Sequence, residues 1–388
     1  MLNRDKVAQD IQNLSEKIFF QQQSHEKISL AQWHDMVSNP LFEKRITQAR
    51  ASFSLARWQD SLTDIFPVKK LVTGYTVLAV DGSQVYPDRH ISGISCFLLN
   101  AGGCLLHYGK TSKAILFSEP HVCIPEDVSQ DNNQAFSVDL VDLKREALEL
   151  EVAFKRSVQV VQEDQITPYI CLFDGSLIFW HLEAKPPEVC DLFLKTYVHV
   201  LNQFYEKKII FASYVSLPKS KELVHLVKIG TCGISSSDTF GCDPKYQKFP
   251  CQDIDLLSDS HVLDQILMPG FRSTIFFSNA KIVEYYPEHL KPCFFYVNIG
   301  KEIVRIEFPK WVLDQEQENG LELISSICFD QAIKGYGYPV ALAEAHEQAV
   351  IKSPDRDFFY HMLSKAGIMQ KHNVIMSQKS LKKRHAAV

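Results

Sequence analysis

The chain has 388 residues, enough for one large domain with an appended segment or for two domains. An apolar content of 46% and a charged content of 22% are those of an ordinary globular protein. The formal net charge of −5 excludes a globally basic nucleic-acid binder, so any DNA contact has to come from a local basic surface. No apolar run approaches bilayer-spanning length, and the start, Met1-Leu2-Asn3-Arg4-Asp5-Lys6, carries no apolar secretory core, so a cytoplasmic protein with no membrane association is expected. Its ten cysteines are then expected to be reduced, with Cys96, Cys171 and Cys328 packed in the core because they lie inside apolar runs.

In chain order, residues 1–70 form an N-terminal helical region, where Ile11, Leu14, Ile18 and Phe19 recur at helical spacing; an arm for a partner or a second copy is expected. Residues 76–80 predict a buried strand. Residues 94–100 and 104–108, around Ala101-Gly102-Gly103, predict a hairpin. A helix begins near Ser137 or Asp139 and runs to about Gln162, with Leu143, Ala147, Leu150, Phe154, Val158 and Val161 as its apolar stripe. Residues 169–173 predict a second buried strand. A helix over 191–206, a strand over 208–214 and a helix over 219–227 follow, and residues 231–260 are loop-rich. Residues 294–297 and 303–308, joined at Gly300, predict a hairpin with alternating side chains; residues 321–334 and 340–351 predict helices. After Met369 the tail is polar and basic, with Lys371, Lys379, Lys382, Lys383 and Arg384; such a tail is usually solvated, and contact with nucleic acid is the minority reading. Strands alternating with helices imply an α/β sheet, with sites gathered at strand ends.

Two copies of one phrase carry the chemistry: Val80-Asp81-Gly82-Ser83 and Phe173-Asp174-Gly175-Ser176, each closing an apolar run. A single Asp-Gly is most simply a turn. The repetition after two core strands instead suggests two carboxylates beside an apolar core, a costly placement that a divalent cation relieves. A third acid would come from the intervening helix, at Glu146, Glu149 or Glu151; Glu146 and Glu151 flank its apolar stripe and Glu149 lies further round. Towards the C-terminus, Pro339 opens a helix after Tyr338, and His346 lies two turns along on the side of Leu342, where a buried core histidine is the plainer expectation.

Taken together, Asp81-Gly82-Ser83 with Tyr86-Pro87, the stretch from Leu172 to Ile178, and Gly337-Tyr338-Pro339 with Ala345-His346 resemble the NurA nuclease family over roughly residues 75–352. Ser213-Tyr214-Val215-Ser216, Gly270-Phe271-Arg272-Ser273 and Arg305-Ile306-Glu307-Phe308-Pro309 are similar to its bacterial branch. The resemblance implies an α/β, RNase H-like mixed sheet flanked by helices, with nuclease domain 71–355, the N-terminal helical arm before it and a C-terminal helix and basic tail over 356–388. It implies a manganese-dependent deoxyribonuclease, with Mg²⁺ as substitute metal, acting in double-strand-break repair as a 5′–3′ exonuclease and single-strand endonuclease on DNA ends. A HerA-type hexameric ATPase as partner and a homodimer are implied as well. Carried over motif by motif, Asp81, Glu149, Asp174, Tyr338 and His346 are catalytic, with Asp81, Glu149, Asp174 and His346 holding the metal; Glu149 is taken from the Arg145-x-x-x-Glu149 phrase, with Glu146 in reserve. Arg89, Arg272 and Arg305 are candidate phosphate clamps against a plainer reading as surface ion pairs. Cys232, Cys242 and Cys251, with Asp243 and His225 nearby, could hold a zinc or iron–sulfur centre, though no C-x-x-C pair is present. Two rivals stand: a non-catalytic adaptor guiding DNA for a HerA-like motor, and a phosphoryl-transfer enzyme with an Asp nucleophile, which Ser83 and Ser176 disfavour where a second Asp is needed.

Overall fold

The computed structural model describes residues 2–48, 53–71, 74–87, 91–92, 96–125, 138–164, 166–231, 257–314, 318–371 and 375–376. In chain order its elements are α1 (Arg4–Val37), α2 (Phe42–Gln48), β1 (Ala56–Trp58), β2 (Ile65–Pro67), β3 (Tyr75–Val85), β4 (Ile91–Ser92), β5 (Phe97–Tyr108) and β6 (Lys113–Cys123). Then come α3 (Val138–Glu163), β7 (Tyr169–Asp174), α4 (Pro187–Glu206), β8 (Phe211–Val215), α5 (Glu222–Thr231), α6 (Asp259–Leu263), β9 (Phe271–Ser273) and β10 (Phe276–Ser278). The rest are β11 (Pro292–Asn298), β12 (Ile303–Pro309), α7 (Trp311–Asp314), α8 (Glu318–Lys334), α9 (Val340–Ala349), α10 (Ser353–Met369) and β13 (Ile375–Met376). They divide into two compact units: one of Met1–Leu71, Gly175–Trp180 and Ala212–Gly337, the other of Val72–Asp174, His181–Phe211 and Tyr338–Val388.

The unit that begins at Val72 is organised around β3, buried without a break from Tyr75 to Val80. A strand covered on both faces has to be apolar throughout, and Tyr75-Thr76-Val77-Leu78-Ala79-Val80 nearly is. β5 pairs with it antiparallel from Tyr75↔Tyr108 to Val85↔Leu98, and β6 continues antiparallel beyond β5. On the other side β7 runs parallel, from Thr76↔Tyr169 to Ala79↔Leu172. Three antiparallel strands, a helix, then a strand parallel to the first make an RNase H-like mixed sheet flanked by helices. Helix α3 packs on β3 and on α4, burying Leu140, Leu143, Ala147, Leu150 and Ala153. Tyr197 of α4 donates its hydroxyl to the Leu143 carbonyl at 2.8 Å.

Helix α9 lies on β3 and β5 through Ala341, Leu342, Ala345 and Ala349. Its last carbonyls, which no helical amide can reach, are taken by side chains of the strands. Ser83 donates to the Ala349 carbonyl, and Asn100 donates to the Ala349 and Gln348 carbonyls at 2.9 and 3.2 Å. This contact also corrects the expected hairpin turn at Ala101-Gly102-Gly103, because β5 runs straight through it and the reversal falls between Tyr108 and Lys113. The two glycines are there for clearance: a Cβ on Gly102 would stand 2.1 Å from the Ala349 nitrogen, and one on Gly103 2.1 Å from the Phe117 ring.

In the other unit β1, β10, β11, β12 and β8 pair in that order, all antiparallel, and β9 pairs with both β11 and β2. β1 and β2 fall in the region expected to be wholly helical. Partners more than two hundred residues away, Phe276–Ser278 and Phe271–Ser273, fix them as strands, a pairing that local spacing cannot reveal. The β11–β12 hairpin turns at Gly300, where φ is +86°, but its expected inside–outside alternation does not hold: both strands are buried at every position. The polar members of the pattern, Arg305 and Glu307, are enclosed rather than solvated. Arg272 is packed too, its guanidinium 4.5 Å from the Phe66 ring centroid, so neither arginine is a surface ion pair.

Trp33, Met36, Phe42 and Ile46 of α1 and α2 form one core cluster with Leu223, Val224 and Val227 of α5. Ile11 and Leu14, by contrast, are 57% and 49% exposed; the side chains of Ile18 and Phe19 lie outside the described set. Arg89, Cys232, Cys242, Cys251, Asp243 and the basic residues from Lys379 onward also lie outside the described residues. No disulfide joins the described cysteines, and Cys104, Cys123, Cys171, Cys293 and Cys328 are buried. No described helix is long and apolar enough to cross a membrane.

The clearance at Gly102 is directly testable. Gly102→Ala should lower unfolding stability by about 1–3 kcal/mol in a urea titration, because backbone rather than a flexible side chain must give way. An unchanged midpoint would contradict the packing of α9 on β5.

Candidate active site

Asp81 sits in the middle of β3 rather than in a turn, opposite Gly102 of β5. Its Oδ1 accepts from the Gly82 amide at 2.8 Å, and its Oδ2 lies 2.7 Å from Nδ1 of His346 on α9, 265 residues away in the chain. The Asp81 side chain is 19% exposed and that of His346 64%, so His346 is not the core histidine its helix face suggested. It stands at the surface, with one ring nitrogen against a carboxylate.

The first Asp-Gly-Ser therefore uses its glycine differently from a turn. A Cβ on Gly82 would fall 2.2 Å from Oε1 of Glu149 and 2.8 Å from Cγ of Arg145. The bare backbone at Gly82 lets α3 lay a carboxylate and a guanidinium against the strand beside Asp81. Arg145 Nη1 pairs with Glu149 Oε1 at i,i+4 spacing, while its Nε is buried without a hydrogen-bond partner among the described residues. In the second copy the glycine does make a turn: Asp174 ends β7, is exposed, and is followed by Gly175 at φ +89°.

Asp81 and Asp174 each lie two residues past the last paired residues of their strands, Ala79 and Leu172. The parallel register thus puts the two acids at matching offsets on adjacent strands. Tyr338 is half-buried at the entrance to α9, next to Pro339. Of the three candidate acids on α3, Glu149 is the one packed beside Asp81. Glu146 Oε2 lies 3.0 Å from His181 Nε2, and Glu151 is exposed.

Burial pushes the Glu149 carboxyl up to about 8, with the Asp81 and Glu146 charges adding to the rise and Arg145 opposing it. Burial works against the charge of Arg145, yet Glu149, Glu146, Asp81 and Asp142 outweigh it and raise its pKa. Tyr86 of the first motif has partners that were not singled out from the sequence: it donates to Asp142 Oδ1 at 2.6 Å, and Gln84 donates to the same oxygen at 2.9 Å. Period-two spacing of Gln84 and Tyr86 at the end of β3 was the available signal.

Among the described residues, no three His, Cys, Asp or Glu side chains stand together as a ready metal cage. The donor set nonetheless suits a hard divalent cation. Carboxylate oxygens predominate, one imidazole adjoins them, and a cation would offset the cost that burial above all imposes on the Glu149 charge.

Comparison with known proteins bears on the family and the fold. A family model described as the NurA domain matches residues 75–351. The crystal structure of the NurA nuclease from Sulfolobus solfataricus superposes with a TM-score of 0.51 at 14% identity, covering 95% of this chain and 98% of that one. At that identity it speaks for the fold. A crystal structure of NurA bound to dAMP and manganese gives a TM-score of 0.40 at 12% identity, over 91% and 94% of the two chains. No curated protein matches the chain.

The Glu149 environment has a signature in stability. Its folded pKa of about 8 lies above the ordinary glutamate value, so the folded state binds the extra proton between the two. Without divalent metal, stability should therefore fall as pH rises from about 4.5 to about 8, as the buried carboxylate is forced to ionise. Glu149→Gln should flatten that slope in urea unfolding with EDTA. A variant with the wild-type slope would contradict the placement of Glu149.

Proposed function

The chain belongs to the NurA family, and from that premise we propose that it is a metal-dependent DNA nuclease that trims DNA ends in double-strand-break repair. The observation that carries the reading is the convergence of Asp81, Glu149 and His346 from β3, α3 and α9, with Asp174 ending the adjacent parallel strand. Asp81, Glu149, Asp174 and His346 hold Mn²⁺, with Mg²⁺ as substitute. A bound divalent cation supplies Lewis-acid neutralisation of the phosphodiester charge.

The chain's own groups do the rest. Asp81 fixes the Nδ1 side of the His346 ring, leaving Nε2 either to complete the metal coordination or, unligated, to hold a proton for the departing oxygen. Arg145 offsets the charge of Glu149, and Tyr338 orients a phosphate oxygen. The proposal extends to 5′–3′ exonuclease and single-strand endonuclease activity, a HerA-type hexameric ATPase as partner, a homodimer and a cytoplasmic location, all of which follow from the family resemblance.

One observation favours a second reading. Glu149 is engaged by Arg145, which suits a non-catalytic adaptor that guides DNA for a HerA-like motor.

End-labelled linear DNA with Mn²⁺, Mg²⁺ or EDTA separates the two. A nuclease shortens the label only with metal, and Asp81→Asn and Asp174→Asn each lower the rate at least about a hundredfold. His346→Ala should lower it by about 10²–10⁴. An adaptor shows no metal-dependent shortening, alone or with the ATPase, and binds DNA equally well after Asp81→Asn.

A further inference from the structure

The unit that begins at Met1 contains a cavity of about 430 Å³, a size typical of small-molecule sites. Its lining includes Arg305 and Glu307 of β12, Glu222 at the start of α5, Ser176, Trp180 and Lys219. The charged groups are almost wholly enclosed: the side chains of Arg305, Glu222 and Glu307 are 3%, 4% and 1% exposed.

Their hydrogen bonding is incomplete in one particular way. Arg305 donates from Nε to Glu307 Oε1 at 2.7 Å and from Nη1 to Glu222 Oε2 at 2.6 Å, and its guanidinium lies 3.5 Å from the Phe294 ring centroid. Glu307 Oε2 accepts from the Ser176 hydroxyl at 2.8 Å and from the Leu177 amide at 2.7 Å. That leaves Nη2 of Arg305 and Oε1 of Glu222 buried with no hydrogen-bond partner among the described residues. Leaving a charged donor and a charged acceptor unpaired away from water is costly, and every other contact of the cluster locks both in place.

We propose that this cavity binds a deoxynucleoside monophosphate, base inward. A nucleobase edge offers an acceptor for Arg305 Nη2 and an N–H for Glu222 Oε1. Trp180, 37% exposed, supplies the aromatic face on which an unpaired base stacks. Lys219, exposed, and Lys221, half-exposed, supply cations for the phosphate. The choice of a nucleotide rests on the nuclease reading above; the unfilled donor and acceptor do not.

The test uses the full chain in EDTA, where no metal-dependent cleavage can occur. dAMP, dGMP, dCMP, TMP and inorganic phosphate are titrated by calorimetry into wild type, Asp81→Asn, Trp180→Ala and Glu222→Gln. At least one nucleotide should bind wild type and Asp81→Asn alike, and at least about tenfold more tightly than phosphate. Trp180→Ala and Glu222→Gln should each weaken it by about tenfold or more; if Glu222→Gln does not fold, Trp180→Ala decides alone. The proposal is overturned if none of the four binds at millimolar concentration, if phosphate binds as tightly, or if folded Trp180→Ala binds as wild type. It is also overturned if Asp81→Asn abolishes binding, which would place the ligand at the carboxylates. Cleavage with Mn²⁺ on the same preparations judges the nuclease reading separately, since nucleotide binding without cleavage would sink that reading and leave the cavity standing.

Discussion

Holding several carboxylates off water in one place is the constraint on which the rest of the candidate site depends. Burial makes Glu149 costly to ionise, and the charges of Asp81 and Glu146 add to that cost. The fold meets the cost in two ways. Arg145 lies against Glu149, and His346 lies against Asp81. Both partners come from elements whose positions are fixed by apolar burial elsewhere: α3 through Leu143, Ala147 and Leu150, and α9 through Ala341, Ala345 and Ala349. Electrostatic tension in the site is thus sustained by hydrophobic packing outside it, and a divalent cation would be a third way of meeting the same cost.

Much of this was legible in the chain. Repetition of Asp-Gly-Ser after two apolar runs located Asp81 and Asp174, and the parallel register of β3 and β7 shows why the same phrase recurs at the same offset. The third acid was harder. A helical wheel ranks Glu149 below Glu146 and Glu151 because it measures distance from the apolar stripe. It cannot know that Glu149 lies against Gly82, where no Cβ stands in the way of its carboxylate. The plainer expectation of a core His346 failed for a related reason: an apolar-looking helix face says nothing about an acid 265 residues away.

The glycines show the same limit from another side. Gly102 and Gly103 look like a turn, and so does Gly82, but all three serve close approach inside long strands, whereas Gly175 and Gly300 are true turns with positive φ. Both uses exploit the missing Cβ, so composition cannot tell them apart. The buried ion cluster of Arg305, Glu222 and Glu307 was hidden differently. Its alternation on β12 reads as a solvated face until Glu222, from another element, is seen to close over it.

Helix α9 has only ten residues, too few to persist alone in water. It survives as an appendage of β3 and β5, gripped through its terminal carbonyls by Ser83 and Asn100. Its amides should therefore exchange with deuterium together with those of β5, as one cooperative unit, rather than fray at the rate of an isolated turn.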